Sequence, residues 1–259
     1  FERADQLPFD AGAIGFSPQN AWWLAEAALL AYWAPADAQR IFHDAAGLES
    51  EYVEDSGTEC YVAWNDAAAI VTFRGTQPNR PVNIWTDLDA VPAPWIFDGE
   101  RVHDGFRRAL SDVVLGRIAD RLDALPGRTL WLTGHSLGAA LATLLADRRP
   151  AFAGLYTFGS PRVGDPAFAS GFNQRHAGRS FRYVNDRDIV TRVPPPRLFE
   201  AAFAHVDREL AIDGDGRVVE AAASDDAAGA GLPSPASLDQ HVGPTLSLMG
   251  PVIDHTPRR

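Results

Sequence analysis

The sequence predicts an α/β protein built on a mostly parallel central sheet with helices on both faces. Three observations carry that expectation. A strand-like run, Thr129-Leu130-Trp131-Leu132-Thr133, enters the pentapeptide Gly134-His135-Ser136-Leu137-Gly138, and an apolar helical run, Ala139 to Ala146, leaves it. Further strand-like runs at Leu155 to Phe158 and Phe181 to Val184 flank a helical stretch near Asp165 to Arg175, the alternation that builds parallel sheets. At 259 residues and 46% hydrophobic content, the chain can bury a sizeable core.

Ser17-Pro18 supplies a capping side chain and a helix-starting proline. Asn20 to Tyr32 is therefore expected as a helix, with Trp22, Trp23, Leu29, Leu30 and Trp33 giving it an apolar surface that packs on the core. Pro35 to Ala46 reads as a second short helix. Glu59 to Asn65 and Ala68 to Phe73 read as paired strands around an Asn65-Asp66 turn. Phe106, Leu110, Val113, Ile118, Leu122 and Leu125 recur at helical spacing until Pro126-Gly127, which predicts one crossover helix. Asp165 is expected to cap the helix that follows it.

Beyond Arg187 the character changes. Pro194-Pro195-Pro196 is a stiff connector. Asp213-Gly214-Asp215-Gly216 lies between strand-like Leu210 to Ile212 and Arg217 to Val219, and reads as a hairpin turn, since the remaining positions of a calcium loop are missing. Residues 221–237 are rich in Gly, Ala, Ser and Pro and are expected as a mobile surface loop. No linker separates two self-sufficient cores, so residues 1–259 are expected to form a single domain.

A net charge of −11 argues against nucleic acid or an anionic membrane as partner, because both would repel this surface. A neutral substrate fits better. All 23 basic residues are arginine, which excludes lysine amine or Schiff-base catalysis. The single cysteine, Cys60, excludes an intrachain disulfide framework and is expected as a buried free thiol. With scattered histidines and a lone cysteine, neither a metal site nor a cofactor is expected. No apolar stretch reaches the roughly 18 to 20 residues that a membrane-crossing helix needs. Phe1 to Asp5 carries no initiating Met and no leader pattern. The expectation is a soluble protein, either cytoplasmic in a bacterium or secreted after signal removal.

The chemistry centres on Ser136. A serine on a tight strand-to-helix turn holds its Oγ above the C-terminal edge of a sheet, and glycines two residues to either side remove side chains that would collide there. A serine hydroxyl is a poor nucleophile near pH 7, so it needs a histidine to take its proton and a carboxylate to orient that histidine. In sheets of this kind the chain order is serine, acid, histidine. Asp188 follows the strand-like Phe181 to Val184 and is the chosen acid, with Asp186 as its rival. Of seven histidines, His205, His241 and His255 come late enough to serve; His43, His103, His135 and His176 default to packing or surface roles. The loop Phe73-Arg74-Gly75-Thr76 is placed to give a second oxyanion donor, so the hole is expected from the N–H groups of Thr76 and Leu137. Residues 77–97 gather Ile84, Trp85, Leu88, Val91 and Trp95 among prolines. That segment reads either as a lid over an acyl-chain groove, opening at a lipid surface, or as a core-packed loop.

At this point the chain resembles the fungal-type class 3 lipases. The resemblance rests on Phe73-Arg74-Gly75-Thr76, Asn83-Ile84-Trp85-Thr86-Asp87-Leu88, Val102-His103-Asp104-Gly105-Phe106, Gly134-His135-Ser136-Leu137-Gly138, Tyr156-Thr157-Phe158-Gly159-Ser160-Pro161-Arg162-Val163-Gly164-Asp165 and Tyr183-Val184-Asn185-Asp186-Arg187-Asp188-Ile189-Val190. It implies an α/β-hydrolase fold with a lid and no cofactor, acting on neutral lipid or small ester substrates. It further implies Ser136 as nucleophile, Asp188 as acid, Thr76 and Leu137 as the oxyanion hole, and Asn83 to Leu88 as part of the lid. For the base it implies His255, which follows Asp254, with His241 as fallback, while His205 resembles a structural position of the family. Ala139 stands where a glycine is commoner, and the lone cysteine departs from disulfide-bearing fungal members toward a bacterial-type relative. Two other readings on the same scaffold are a lipid-binding protein with a decayed triad and an acyltransferase or amidase.

Overall fold

Alternating side chains along the strands make two separate cores, one on each face of a sheet. The computed structural model describes residues 1–76, 91–185, 190–198, 201–207, 209–212 and 218–220. Its strands are β1 (Glu49–Asp55), β2 (Thr58–Trp64), β3 (Ala68–Phe73), β4 (Pro92–Pro94), β5 (Arg101–His103), β6 (Thr129–His135), β7 (Gly154–Phe158), β8 (Ser180–Asn185), β9 (Arg197–Leu198), β10 (Ala201–Ala202), β11 (Glu209–Ile212) and β12 (Val218–Glu220). The helices are α1 (Pro18–Leu30), α2 (Pro35–Ala46), α3 (Asp104–Ala109), α4 (Asp112–Asp123), α5 (Leu137–Arg148) and α6 (Pro166–Arg175). Among the described residues, eight strands form the main sheet in the order β1-β2-β3-β6-β7-β8-β11-β12. β3, β6, β7, β8 and β11 run parallel, and the outer pairs are antiparallel.

Successive strand residues point to opposite faces, and the cores divide accordingly. Cys60, Val62, Val71, Leu132 and Leu155 face α4, α5 and α6, meeting Ile118, Leu141, Leu145 and Phe168. Tyr61, Ala63, Ile70, Trp131 and Tyr156 face the other way, meeting Trp23, Leu24 and Ala28 of α1 and Phe42 of α2. The Cys60 thiol is free and fully buried in the first core, as expected. The helix starts follow the anticipated signals. Ser17 accepts the Asn20 N–H at 3.2 Å, and Asp165 accepts the Phe168 N–H at 2.8 Å.

Three expectations differ from the structure. The single crossover helix is two, α3 and α4, because Ser111 restarts the turn: its Oγ accepts the Val114 N–H at 3.2 Å and donates to Asp55 at 2.7 Å. β1 has no counterpart in the sequence reading, and it is an edge strand in which only Val53 is fully enclosed. The third concerns residues 77–97. Pro92–Pro94 and Arg101–His103 pair as a hairpin, and Trp95 is a core residue 8% exposed, its Nε1 donating to Asp147 at 2.7 Å. Trp95 therefore anchors the base of the segment and does not belong to a movable cover. Residues 77–90, the Asp213 to Gly216 turn and residues 221–237 lie outside the described residues.

Candidate active site

Ser136 sits where β6 ends and α5 begins, with φ 58° and ψ −124°. A side chain held in that region carries a strain of roughly 1–3 kcal/mol, so the surroundings must impose it. They do so from both sides. The Ser136 N–H donates to the Phe158 carbonyl at 3.0 Å, tying the turn to the end of β7. The flanking glycines let the elements close on each other: a Cβ on Gly134 would lie 2.3 Å from the Gly138 carbonyl oxygen, and one on Gly138 would lie 2.2 Å from the Phe73 carbonyl oxygen. Neither contact is compatible with any side chain.

The serine does not cap its own helix, so its hydroxyl is not spent on the α5 N-terminus. Leu137 is the first residue of that helix, where the leading N–H groups have no intrahelical partner and the helix dipole favours negative charge. Beside it comes the end of β3, since Phe73 and Gly134 are neighbours in the parallel ladder. Arg74 fixes the chain there through an ion pair with Glu59 and a backbone bond to the Glu59 carbonyl at 2.9 Å. Gly75 then passes so close to the elbow that a Cβ on it would lie 3.2 Å from Ser136 Cβ and 2.5 Å from the His135 carbonyl oxygen. Thr76 follows. Its Oγ1 is buried and, among the described residues, has no hydrogen-bond partner.

The segment that holds the candidate acids Asp186 and Asp188 is only partly described. β8 ends at Asn185, at the same edge of the sheet as the elbow, since Phe158 pairs with Tyr183 and His135 with Phe158. The chain is described again from Val190, where Arg162 holds it: Nη1 donates to the Arg192 carbonyl at 2.8 Å and to the Pro194 carbonyl at 2.9 Å. Asp186 and Asp188 fall between these points, outside the described residues, as do Ile84, Trp85, Leu88, His241 and His255. Val91 is described, and is 54% exposed at the foot of the β4–β5 hairpin.

The remaining histidines are accounted for. His205 Nε2 donates to the Thr191 carbonyl at 2.7 Å, and burial, with Arg182 and Arg162 nearby, holds its pKa well below the usual value. It holds the chain at Thr191. His103 caps α3, its Nδ1 accepting the Gly105 N–H at 3.1 Å, and stacks on Phe106. Burial lowers its pKa to about 4. His176 lies against buried Asp147 at 2.8 Å, and His43 is an exposed ion-pair residue. The elbow histidine, His135, meets a residue that sequence reasoning overlooked: Tyr32 Oη, 2.8 Å from Nδ1. The available signal was a polar-tipped aromatic closing an otherwise apolar helix.

Residues 70–198 match the family model described as Lipase (class 3). A lipase of Rhizomucor miehei is 34% identical over 188 residues, covering 65% of this chain and 49% of that protein. A secreted mono- and diacylglycerol lipase of Malassezia restricta is 34% identical over 158 residues, covering 55% of this chain and 51% of that protein. The chain thus spans about half the length of these curated relatives. A solved triacylglycerol lipase whose catalytic centre is a serine protease triad superposes with a TM-score of 0.67 at 28% identity, covering 82% of this chain and 87% of the other. The architecture is the α/β-hydrolase fold. With its elbow serine inside the matched region, the chain belongs to the class 3 lipase family.

Proposed function

We propose that this protein hydrolyses carboxylic esters, as a lipase or esterase acting on acylglycerols or similar neutral lipid esters. The observation that carries the reading is the Ser136 elbow: a strained serine whose backbone meets both the uncapped start of α5 and the Gly75-Thr76 loop. Its similarity to lipases supports the reading, and so does a net negative charge that favours an uncharged substrate.

In this reading Ser136 Oγ attacks the ester carbonyl carbon while an imidazole takes its proton. The carbonyl oxygen becomes an alkoxide, received by the N–H groups of Thr76 and Leu137, with the buried Thr76 hydroxyl as a further donor. Collapse expels the alcohol, which leaves with the proton from the imidazole. Water, deprotonated by the same imidazole, then attacks the acyl-serine and frees the acid. His255 is assigned as the base, with His241 as fallback, and Asp188 as the carboxylate that orients it. Ile84, Trp85, Leu88 and Val91 are assigned to a cover over the acyl chain that contacts a lipid interface transiently. Among the described residues, no helix is long and apolar enough to cross a membrane.

Ser136→Ala tests the assignment. Turnover of a p-nitrophenyl ester is expected to fall by about three to six powers of ten, with the melting temperature kept within a few degrees. Retained turnover would rule out Ser136 as nucleophile. Absence of fluorophosphonate labelling in the wild type would favour a lipid-binding role instead.

A further inference from the structure

The two N–H groups assigned to the oxyanion belong to different elements, and their spacing depends on contacts between those elements. Leu137 opens α5, whereas Thr76 follows β3. The β3 side is anchored to β2 as far as Arg74. Beyond that, Gly75 faces Tyr32: a Cβ on Gly75 would lie 2.1 Å from the phenol oxygen, and the Gly75 N–H acts on that same oxygen. The phenol oxygen also lies 2.8 Å from Nδ1 of His135, the residue immediately before the nucleophile.

Tyr32 is itself firmly held. It follows α1 in a closing turn, its N–H donating to the Leu29 carbonyl at 3.0 Å, and α1 is tied to β6 by the Thr133 hydroxyl donating to the Leu24 carbonyl at 3.0 Å. Burial pushes the phenol well above its ordinary pKa, against smaller lowering effects from Arg74 and the Gly75 N–H, so the hydroxyl keeps its proton at every pH at which the protein works. The phenol oxygen thus stands between the Gly75 backbone and the His135 imidazole, in close contact with both.

We propose that Tyr32 is a positioning residue for ester hydrolysis: its hydroxyl ties the Gly75-Thr76 loop to the elbow and sets the separation of the two oxyanion donors. The inference rests on the hydrolase reading above. Donors fixed before the reaction stabilise developing charge without reorganising, and an ångström of misplacement weakens that effect strongly. The contact involves no substrate atom, so ground-state binding is unaffected by its loss.

Tyr32→Phe keeps the ring and removes only the hydroxyl. Active sites are counted by fluorophosphonate titration, so that loss of folded protein is not mistaken for loss of rate. Per active site, kcat on p-nitrophenyl butyrate is expected to fall about ten- to hundred-fold with KM within about twofold. Affinity for a trifluoromethyl ketone, which forms a tetrahedral adduct on the serine, should fall by a similar factor. An unchanged kcat per titrated site would overturn the proposal, as would a loss confined to KM or to the number of titratable sites. A wild type that neither labels nor turns over ester would instead overturn the hydrolase reading, and this inference with it.

Discussion

At the scale of single residues, the elbow and its neighbouring loop leave no volume for a methyl group at Gly75. A Cβ there would meet two obstacles, a side-chain one, the Tyr32 hydroxyl at 2.1 Å, and a backbone one, the His135 carbonyl oxygen at 2.5 Å. Gly75→Ala must therefore push the loop away from Ser136, carrying Thr76 with it. The expected result is a loss of stability of about 1–3 kcal/mol and a fall in kcat of at least about a hundredfold. Combining it with Tyr32→Phe should not restore activity, because the backbone obstacle remains. Recovery in the double variant would show that the phenol alone sets the loop position. Ser136, Gly134 and Gly138 were legible in the sequence because the constraints on them are local, a strand, a tight turn and a helix in unbroken succession. Tyr32 was not, because its partner His135 lies 103 residues away and only the packing of α1 on β6 brings them together.

At the scale of elements, α5 is apolar and enclosed along nearly its whole length, and Asp147 in its last turn is the exception that demands an account. Its carboxylate accepts from Trp95 Nε1 at 2.7 Å, from Arg175 Nε and Nη2 at 3.0 Å each, and lies 2.8 Å from His176 Nε2. Burial opposes charge there, yet the bonds from His176, Arg175 and Trp95 hold its pKa below the ordinary value. Arg175 also forks onto Glu100 at 2.6 and 2.9 Å. One carboxylate thus joins α5, α6 and the β4–β5 hairpin. Asp147→Asn removes the charge and leaves Arg175 with one anionic partner in place of two. It should cost about 3–5 kcal/mol at neutral pH, read from urea unfolding. Turnover well below the melting temperature should be unchanged, because Ser136 lies about 16 Å away along the helix. A lowered kcat in well-folded protein would show that the far end of α5 communicates with the elbow. The sequence displayed the helices through capping residues and prolines, and the buried strands through apolar runs. It did not display β1, whose polar pattern reflects an edge position, nor the fixed base of the 77–97 segment. Trp95 in isolation is one more apolar residue, and only a carboxylate 52 positions later makes it an anchor.

At the scale of the whole molecule, acid should destabilise the fold through groups that play no part in the assigned chemistry. His103, with a folded pKa of about 4, and His205, with one well below normal, are buried neutral. Each ionises near pH 6.5 in the unfolded chain, so the unfolded state binds more protons as pH falls below 6.5, and their contribution is lost progressively down to the folded pKa. For His103 the full loss is about 3 kcal/mol. Asp207 works the other way. Burial pushes its pKa up to about 6, against a hydrogen bond from Ser180 and the nearby Arg182 and His176, and its Oδ2 has no hydrogen-bond partner among the described residues. Between about pH 6 and 3.8 the folded state holds the extra proton, so acidification restores stability that the ionised carboxylate removes at neutral pH. Two histidines outweigh one carboxylate, and urea stability should fall between pH 6.5 and 4. Replacing either kind of group separates the contributions. His103→Asn retains a cap for Gly105 and should flatten the slope. Asp207→Asn mimics the protonated acid and tolerates the residue's φ of 61°, so it should raise stability at pH 7 by up to about 3 kcal/mol and steepen the acid slope. Identical slopes in the wild type and both variants would mean that neither group changes its protonation when the chain folds.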